Sequence, residues 1–583
     1  MDNFAQVLQK AYQQVPHRTA ITLLKSGLPD QDLSYQDILL KASGYAQALG
    51  DLDIDVGEVV VLILDHGQDL IAAFFGAILH GAVPAIMPFL TEKLSPERYR
   101  ASLISLFGIT EPAVVITYPE FLPEVQGAIT KVSASGQTVP KLISSSKIST
   151  PTDIDWQAMM GLSRKLDDLV LLQHSSGTTG LQKGVALSNR AVFNQIAHYS
   201  KALHLSDNDV IVSWLPLYHD MGLIAGFVLP IITRTHLVLM SPFDWVRAPF
   251  RLMQTVSNYQ GTLTWLPNFA YNFCARKIRD KDLEGVDLSS WRAVINCSEP
   301  MSWTSHDMFI KRFTPYGLRE EALATCYAMA ENVFAVTQGG IDDPLKLDVI
   351  DKKELSDHHY ALPVSGKIKG DDVVKMLSAG SPIDNTYVKV LDKDGVELPE
   401  RKIGEIALQG DCLLSGYYRR PDLSEKAFTD GWYLTGDLGY LADGELYITG
   451  RKKDLIIVGG KNIYPQDIEN LAGEVDGVHP GRVAAFGVFN ENSGTEDVIL
   501  IAEVEHDVDQ VATNGVYPSG SLEERIAREI RQRVTKGSDI TLRTVVLVRR
   551  NWLIKTSSGK VARAANREKY LALIKHKDTV ANS

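Results

Sequence analysis

The strongest constraint on what this chain can fold into is an alternation. Short apolar, β-branched runs at residues 58–64, 113–117, 210–214, 237–240 and 293–296 recur between longer amphipathic stretches. Strands that alternate with helix-length segments fold as stacked βα units around a mostly parallel sheet, so an α/β fold is expected. Further along the pattern changes. Strand-like runs at residues 388–391, 404–408 and 445–449 are closely spaced and separated by turn residues, among them 392–395 and Asp443-Gly444, which predicts a β-rich subdomain. Another shift follows Gly450. There the charged Arg451-Lys452-Lys453-Asp454 precedes a strand at 455–458, a Gly459-Gly460 turn and a helix beginning near Pro465. A chain of 583 residues is too long for one core. The expected division is a large N-terminal domain over 1–450, made of stacked βαβ sheets plus the β-rich subdomain, a hinge at 451–454, and a small mobile α+β domain over 455–583.

Two segments read as long loops. Residues 133–155, rich in Ser, Thr and Pro, are expected to form a surface connection. Residues 340–374 bring about 35 mostly polar residues between a helix and a strand, and loops of that length inside a compact domain are commonly functional.

The formal net charge of −12, with no dense Lys/Arg tract, argues against binding nucleic acid through its phosphates. Cys274, Cys297, Cys326 and Cys412 are widely spaced with no C-x-x-C pair, so buried free thiols are expected rather than a zinc site or disulfides. Residues 1–19 lack the basic start and apolar run of a signal peptide, and a cytoplasmic enzyme is expected. Residues 70–90 carry no Asp, Glu, Lys or Arg, yet Gly81, Pro84 and Pro88 interrupt them. They read as a buried helix at 70–80 and a strand at 82–87, not as a stable membrane insertion.

One run concentrates the chemistry: Ser175-Ser176-Gly177-Thr178-Thr179-Gly180-Leu181-Gln182-Lys183-Gly184. Its glycines let backbone N–H groups turn towards an anion, its hydroxyls add donors, and Lys183 adds charge, so it reads as a phosphate cradle. The order is not that of a P-loop, because Lys183 precedes a glycine and the Val-Ala-Leu that follows reads as a strand. A nucleotide held by another architecture is therefore expected.

Five further motifs follow in order: Tyr327-Ala328-Met329-Ala330-Glu331, Tyr433-Leu434-Thr435-Gly436-Asp437, Gly450-Arg451-Lys452-Lys453-Asp454, the Gly459-to-Pro465 run, and Lys555-Thr556-Ser557-Ser558-Gly559-Lys560. This series resembles the adenylate-forming superfamily of acyl-CoA synthetases, luciferases and peptide-synthetase adenylation domains, over essentially the whole chain. The resemblance implies that a carboxylate attacks the α-phosphorus of ATP, pyrophosphate leaves, and an acyl adenylate forms. Charge gathering on the phosphoryl oxygens must then meet preplaced donors and cations.

By the same resemblance Lys560, Glu331 and His219 are catalytic, and Glu331 holds Mg²⁺ with help from Thr178. ATP and AMP are bound by Ser175, Ser176, Gly177, Thr178, Thr179, Gly180 and Lys183, by Ser298, Glu299 and Pro300, by Cys326, Tyr327, Ala328 and Met329, and by Asp437 and Arg451. Tyr327 is expected to stack on adenine and Asp437 to grip the ribose diol. Lys453 is the expected hinge. Three blocks, residues 213–223, 240–242 and 266–271, resemble the fatty acyl-AMP ligases within that superfamily, as do residues 454–469. That branch passes its adenylate to the phosphopantetheine thiol of an acyl carrier protein. It implies an acyl pocket from Trp214, His219, Met221, Gly222, Ile224 and Phe269, and an insertion at 340–374 that packs on the small domain. Two alternatives remain: a fatty acyl-CoA ligase using coenzyme A, and an amino-acid adenylating enzyme using Asp220 to hold an ammonium. Ala328, the Asn296-Cys297-Ser298 run and Leu553-Ile554 depart from the superfamily's usual residues without removing a charged group.

Overall fold

A computed structural model of the chain describes residues 2–88, 96–134, 138–175, 183–364, 372–458, 461–490, 495–508, 511–538, 542–556 and 559–581. Its largest sheet has nine strands. The interior strands run Leu323–Ala328, Ala293–Cys297, Leu263–Leu266, Val210–Ser213, His236–Met240 and Thr19–Leu24, each parallel to its neighbours. Antiparallel strands close both edges. Interior strands such as Val210–Ser213 and Ala293–Cys297 are almost wholly buried, as expected of a parallel sheet covered on both faces. A second, four-stranded parallel sheet has the order Val83–Ile86, Val59–Ile63, Val114–Thr117, Lys141–Ser144. The apolar segment near residue 70 is the helix Gln68–His80, fully buried from Leu70 onward. It lies so close to the helix Tyr35–Gly50 that a Cβ on Gly76 would sit 2.6 Å from the Ala42 carbonyl oxygen, so glycine alone fits. Among the described residues no helix is long and apolar enough to cross a membrane.

The expected β-rich part is a five-stranded antiparallel sheet that includes Thr386–Leu391, Gly404–Gly410, Trp432–Ala442 and Glu445–Arg451. Beyond it, the strands Val478–Asn490, Thr495–Val504 and Thr544–Val548 form a small sheet, with helices Pro465–Gly473, Leu522–Ser538 and Arg563–Ala581 around it. Residues between Ile456 and Leu547 build their own apolar cluster there. All four cysteines are free and buried.

Two expectations change. Residues 133–155 are not only a surface connection, because Lys141–Ser144 adds a parallel strand beside Val114–Thr117 and buries Ile143. Four residues are too few for an alternation to show. The stretch 340–374 is not a plain loop either. Strands Leu347–Asp351 and Val373–Leu377 pair antiparallel and the helix Lys352–His358 follows the first. Ile350, Leu355 and Ala361 pack on Tyr440, Ala442 and Tyr447, which anchors the segment to the β-rich sheet. Residues 365–371 of this segment lie outside the described residues.

Candidate active site

Four adjacent parallel strands of the large sheet end at one edge, and ligands of open α/β sheets bind beyond such carboxyl ends. After Val210–Ser213 the chain runs through Trp214 and His219 into a π-helix, Met221–Val228. Wide turns of this kind are rare and cluster at functional sites. Gly222 is required there, since a Cβ would lie 2.2 Å from the Pro216 carbonyl oxygen. Next to this, Ser298 follows the strand Ala293–Cys297 with φ +69°, a strained conformation for a residue with a Cβ. Its hydroxyl lies 3.8 Å from the Met221 sulfur.

Lys560 enters from the C-terminal part. A tight turn presents it: Thr556 N–H donates to the Lys560 carbonyl (2.7 Å), Lys560 N–H donates to Thr556 Oγ1 (3.2 Å), and Gly559 supplies φ +87°. Its ammonium donates a hydrogen bond to the Ser298 carbonyl. His219 Nδ1 lies 2.5 Å from Asp220 Oδ1, an ion-pair separation rather than an aligned hydrogen bond. Burial would raise the Asp220 carboxyl, but His219, Lys560 and the Met221 N–H together hold it below the ordinary aspartate range.

A second cluster surrounds Glu331. It sits on the turn Ala330–Asn332, and Val333 beyond it has φ +60° and ψ −53°, with Phe334 N–H donating to the Asn332 carbonyl (2.6 Å). This is a γ-turn of the rare, strained hand, at a buried β-branched residue. The Asn332 side chain holds it by donating to the Ala335 carbonyl (2.7 Å). Tyr417 donates to Glu331 Oε1 (2.9 Å) and lies 3.1 Å from the Tyr433 hydroxyl, while Lys183 stands 4.7 Å over the Tyr417 ring. Burial, reinforced by the charge of Asp220, pushes the Glu331 carboxyl up despite the Tyr417 hydrogen bond. In the third cluster, Tyr327 donates to Asp437 Oδ2 (2.7 Å) and Arg451 Nε pairs with Asp437 Oδ1 (3.0 Å). Burial, with the nearby charges of Arg451 and Lys183, holds the Lys453 ammonium below the ordinary lysine range, as expected where cations gather.

Most residues expected to act together are therefore near one another, in three clusters linked by Asp220, Glu331 and Arg451. Ser176, Gly177, Thr178, Thr179 and Gly180 lie outside the described residues. The strands that flank them, Leu169–Ser175 and Lys183–Ser188, pair antiparallel as the Val-Ala-Leu run predicts. The Cys326 thiol points into the core against Cys297 and Tyr199, so at that position only the backbone is left for a nucleotide. Glu299 accepts a hydrogen bond from the Phe269 N–H (2.9 Å), tying the segment through Pro300 to the aromatic wall. Tyr417 is not singled out by the sequence, and Tyr433 enters there only as the first residue of the motif that ends in Asp437. Tyr417 sits in Gly416-Tyr417-Tyr418, and a two-residue strand gives no periodicity to read. Asp220 appeared there only as an ammonium holder.

Comparison with known proteins shows the family. The sequence profile of AMP-binding enzymes matches residues 8–418. The chain is 31% identical to the medium-chain-fatty-acid–[acyl-carrier-protein] ligase JamA of Moorena producens (strain JHB), over 95% of this chain and 92% of that protein. It is 30% identical to the long-chain-fatty-acid–AMP ligase FadD26 of Mycobacterium marinum, over 97% and 96%. Among solved structures it is similar to one from a study of fatty acyl-adenylate ligases of E. coli and L. pneumophila, at TM-score 0.85 and 26% identity, covering 100% of this chain and 99% of that one. It is also similar to the L. pneumophila fatty acyl-adenylate ligase in complex with acyl adenylate and pyrophosphate, at TM-score 0.71 and 27% identity over 98% and 96%. With more than half its length matched by that profile and its strands, turns and charged clusters arranged as above, the chain belongs to the AMP-binding enzyme family, in its fatty acyl-AMP ligase branch.

Proposed function

We propose that this protein activates a fatty acid with ATP to an acyl adenylate, releasing pyrophosphate, and transfers the acyl group to the phosphopantetheine thiol of an acyl carrier protein. The observation that carries this reading is the meeting of Lys560 with Ser298, beside Asp220 and His219, at the carboxyl edge of the sheet. In the first step a carboxylate oxygen bonds to the α-phosphorus while the bond to the β-phosphate oxygen breaks. Lys560, by this reading, neutralises the carboxylate and the α-phosphoryl oxygens as charge builds, where one well-placed donor is worth about 10²–10³ in rate. Lys183 and the loop of residues 175–180 hold the β- and γ-phosphates. Tyr327 covers the adenine, and Asp437 with Arg451 receives the ribose. In the second step the thiol sulfur bonds to the acyl carbon, AMP leaves, and the thiol proton is lost.

Mg²⁺ fits the Glu331 cluster by the chemistry of its donors: a hard oxygen ligand whose ionised form is held at a cost, near a second carboxylate, Asp220. When bound there it would neutralise phosphate charge. Glu331 would hold it with Thr178, and Tyr417 would keep the carboxylate turned to the site. The domain division at 451–454, with Lys453 as hinge, belongs to the same proposal: Lys560 must leave the site before a carrier thiol can enter. The segment at 340–374 limits that rotation, a role supported by the hydrogen bond from Lys352 Nζ to the Gly537 carbonyl. Because the charge of Asp220 is already met by His219 and Lys560, the site offers little to a substrate ammonium. Incubation with ATP, Mg²⁺, a fatty-acid mixture and either holo carrier protein or coenzyme A tests the reading by intact mass. Acylated carrier protein, with no acyl-CoA, is expected, and acyl-CoA without acylated carrier protein would overturn the carrier step.

A further inference from the structure

Beyond the site described above lies a pair of aromatic rings whose packing is unusual for a core. Trp214, directly after the strand Val210–Ser213, stacks face to face on Trp245, with ring centroids 3.6 Å apart and planes 8° from parallel. Phe269, at the start of the helix Asn268–Lys277, meets both edge-on at 6.4 and 6.1 Å, and Phe273 of the same helix tilts against Trp245 at 5.3 Å. Three neighbouring parallel strands thus each send an aromatic to one spot past the carboxyl edge of the sheet. Both indoles are buried, and neither indole N–H has an acceptor among the described residues. A stack kept only as core would be better made from rings without a donor to bury, and a buried unpaired group calls for an explanation. What an indole offers over such rings is size.

The position gives that size a use. Ser298 and Lys560 mark the end where the carboxylate reacts, and the Ser298 hydroxyl reaches Met221 at 3.8 Å. Met221 opens the π-helix that begins seven residues after Trp214, and this wall is apolar throughout. At the far side, Trp245 belongs to the short helix Pro242–Arg247, whose Phe243 and Val246 are exposed, 37% and 49%. Trp245 itself is wholly buried, so its indole lies between Trp214 and the exposed outer face of this short helix. Arg251, 3.7 Å from Asp244, and the Ser241 hydroxyl, accepting from the Phe243 N–H at 3.3 Å, hold that helix in place.

We propose that Trp245, stacked on Trp214, is the residue that ends the acyl site and so sets the longest chain the enzyme activates efficiently. The inference rests on the fatty-acid reading above. A smaller side chain at this position extends the path towards the outer face of the helix Pro242–Arg247, whereas shorter acids, which end before the stack, feel the change little.

The test compares wild type, Trp245→Leu and Trp245→Phe in adenylate formation, measured as kcat/KM over a homologous series of straight-chain saturated acids from short to very long. The expected result is a chain-length optimum that moves to longer acids in Trp245→Leu, with the ratio of long-chain to short-chain kcat/KM rising about tenfold or more, and a smaller move in Trp245→Phe. An optimum unchanged in a variant that still melts cooperatively overturns the proposal, as does a uniform loss across the series. If Trp245→Leu does not fold, Trp245→Phe decides alone, because it keeps an aromatic ring and still removes volume. Failure of the underlying reading looks different: wild type then yields no adenylate with any acid in the series.

Discussion

Glu331 illustrates at the scale of one residue how this site trades stability for chemistry. Its carboxyl titrates above the ordinary glutamate value, chiefly because it is buried. Between the unfolded and the folded pKa the native chain therefore holds more protons than the unfolded chain, and stability falls as pH rises through that window. Glu331→Gln keeps an acceptor for Tyr417 and removes the charge. It should melt higher than wild type at neutral pH, with the gain vanishing once the pH drops below the ordinary glutamate pKa, while adenylate formation falls about 10²–10³-fold. Thermal melts across pH check the first part, and a neutral-pH melt no higher than that of wild type would contradict it. The two lysines separate by half-reaction. Lys560→Ala should stop adenylate formation and leave transfer from a preformed acyl adenylate largely intact, whereas Lys183→Ala should mainly raise the KM for ATP. Equal effects of both variants on both half-reactions would remove the distinction between them.

At the scale of elements, the turn through Val333 is the strained support behind Glu331. A γ-turn with φ +60° at a buried valine persists only where its surroundings over-determine it, and Asn332 supplies one such constraint. Asn332→Ala leaves the turn without that brace and should cost about 1–3 kcal/mol, read from denaturant unfolding, and it should also impair Glu331 by displacing its backbone. Loss of stability with full activity would show that the turn does not position the carboxylate. This is also where sequence stops being readable. The parallel strands were legible because β-branched runs such as 210–213 repeat between helices, and the charged motifs were legible because Lys560, Glu331, Asp437 and Arg451 stand in a fixed order. Lys141–Ser144 was not, being only four residues long, and the fold within 340–374 was hidden because three apolar anchors, Ile350, Leu355 and Ala361, are scattered among polar residues. Tyr417 and Trp245 act through tertiary contacts 86 residues from Glu331 in the first case and across neighbouring strands in the second, which no local pattern records.

At the scale of the whole molecule, the proposed cycle requires the C-terminal part both to reach the site and to leave it. Lys560, beside the bridge between Lys555 and Val561, meets the Ser298 carbonyl, and Lys352 holds the helix Leu522–Ser538 through the Gly537 carbonyl. Replacing residues 345–377 by a short flexible linker should free that rotation and let acyl-CoA accumulate where wild type forms none, with adenylate formation retained. A variant still wholly unable to use coenzyme A would show that the segment is not the sole restraint. ATP–pyrophosphate exchange with a fatty acid, comparing wild type and Lys560→Ala, tests whether Lys560 drives adenylation of a fatty acid. Fatty-acid-dependent exchange in wild type, reduced at least about a hundredfold in the variant, is the predicted result. Exchange absent in wild type with every fatty acid, or undiminished without Lys560, would contradict it.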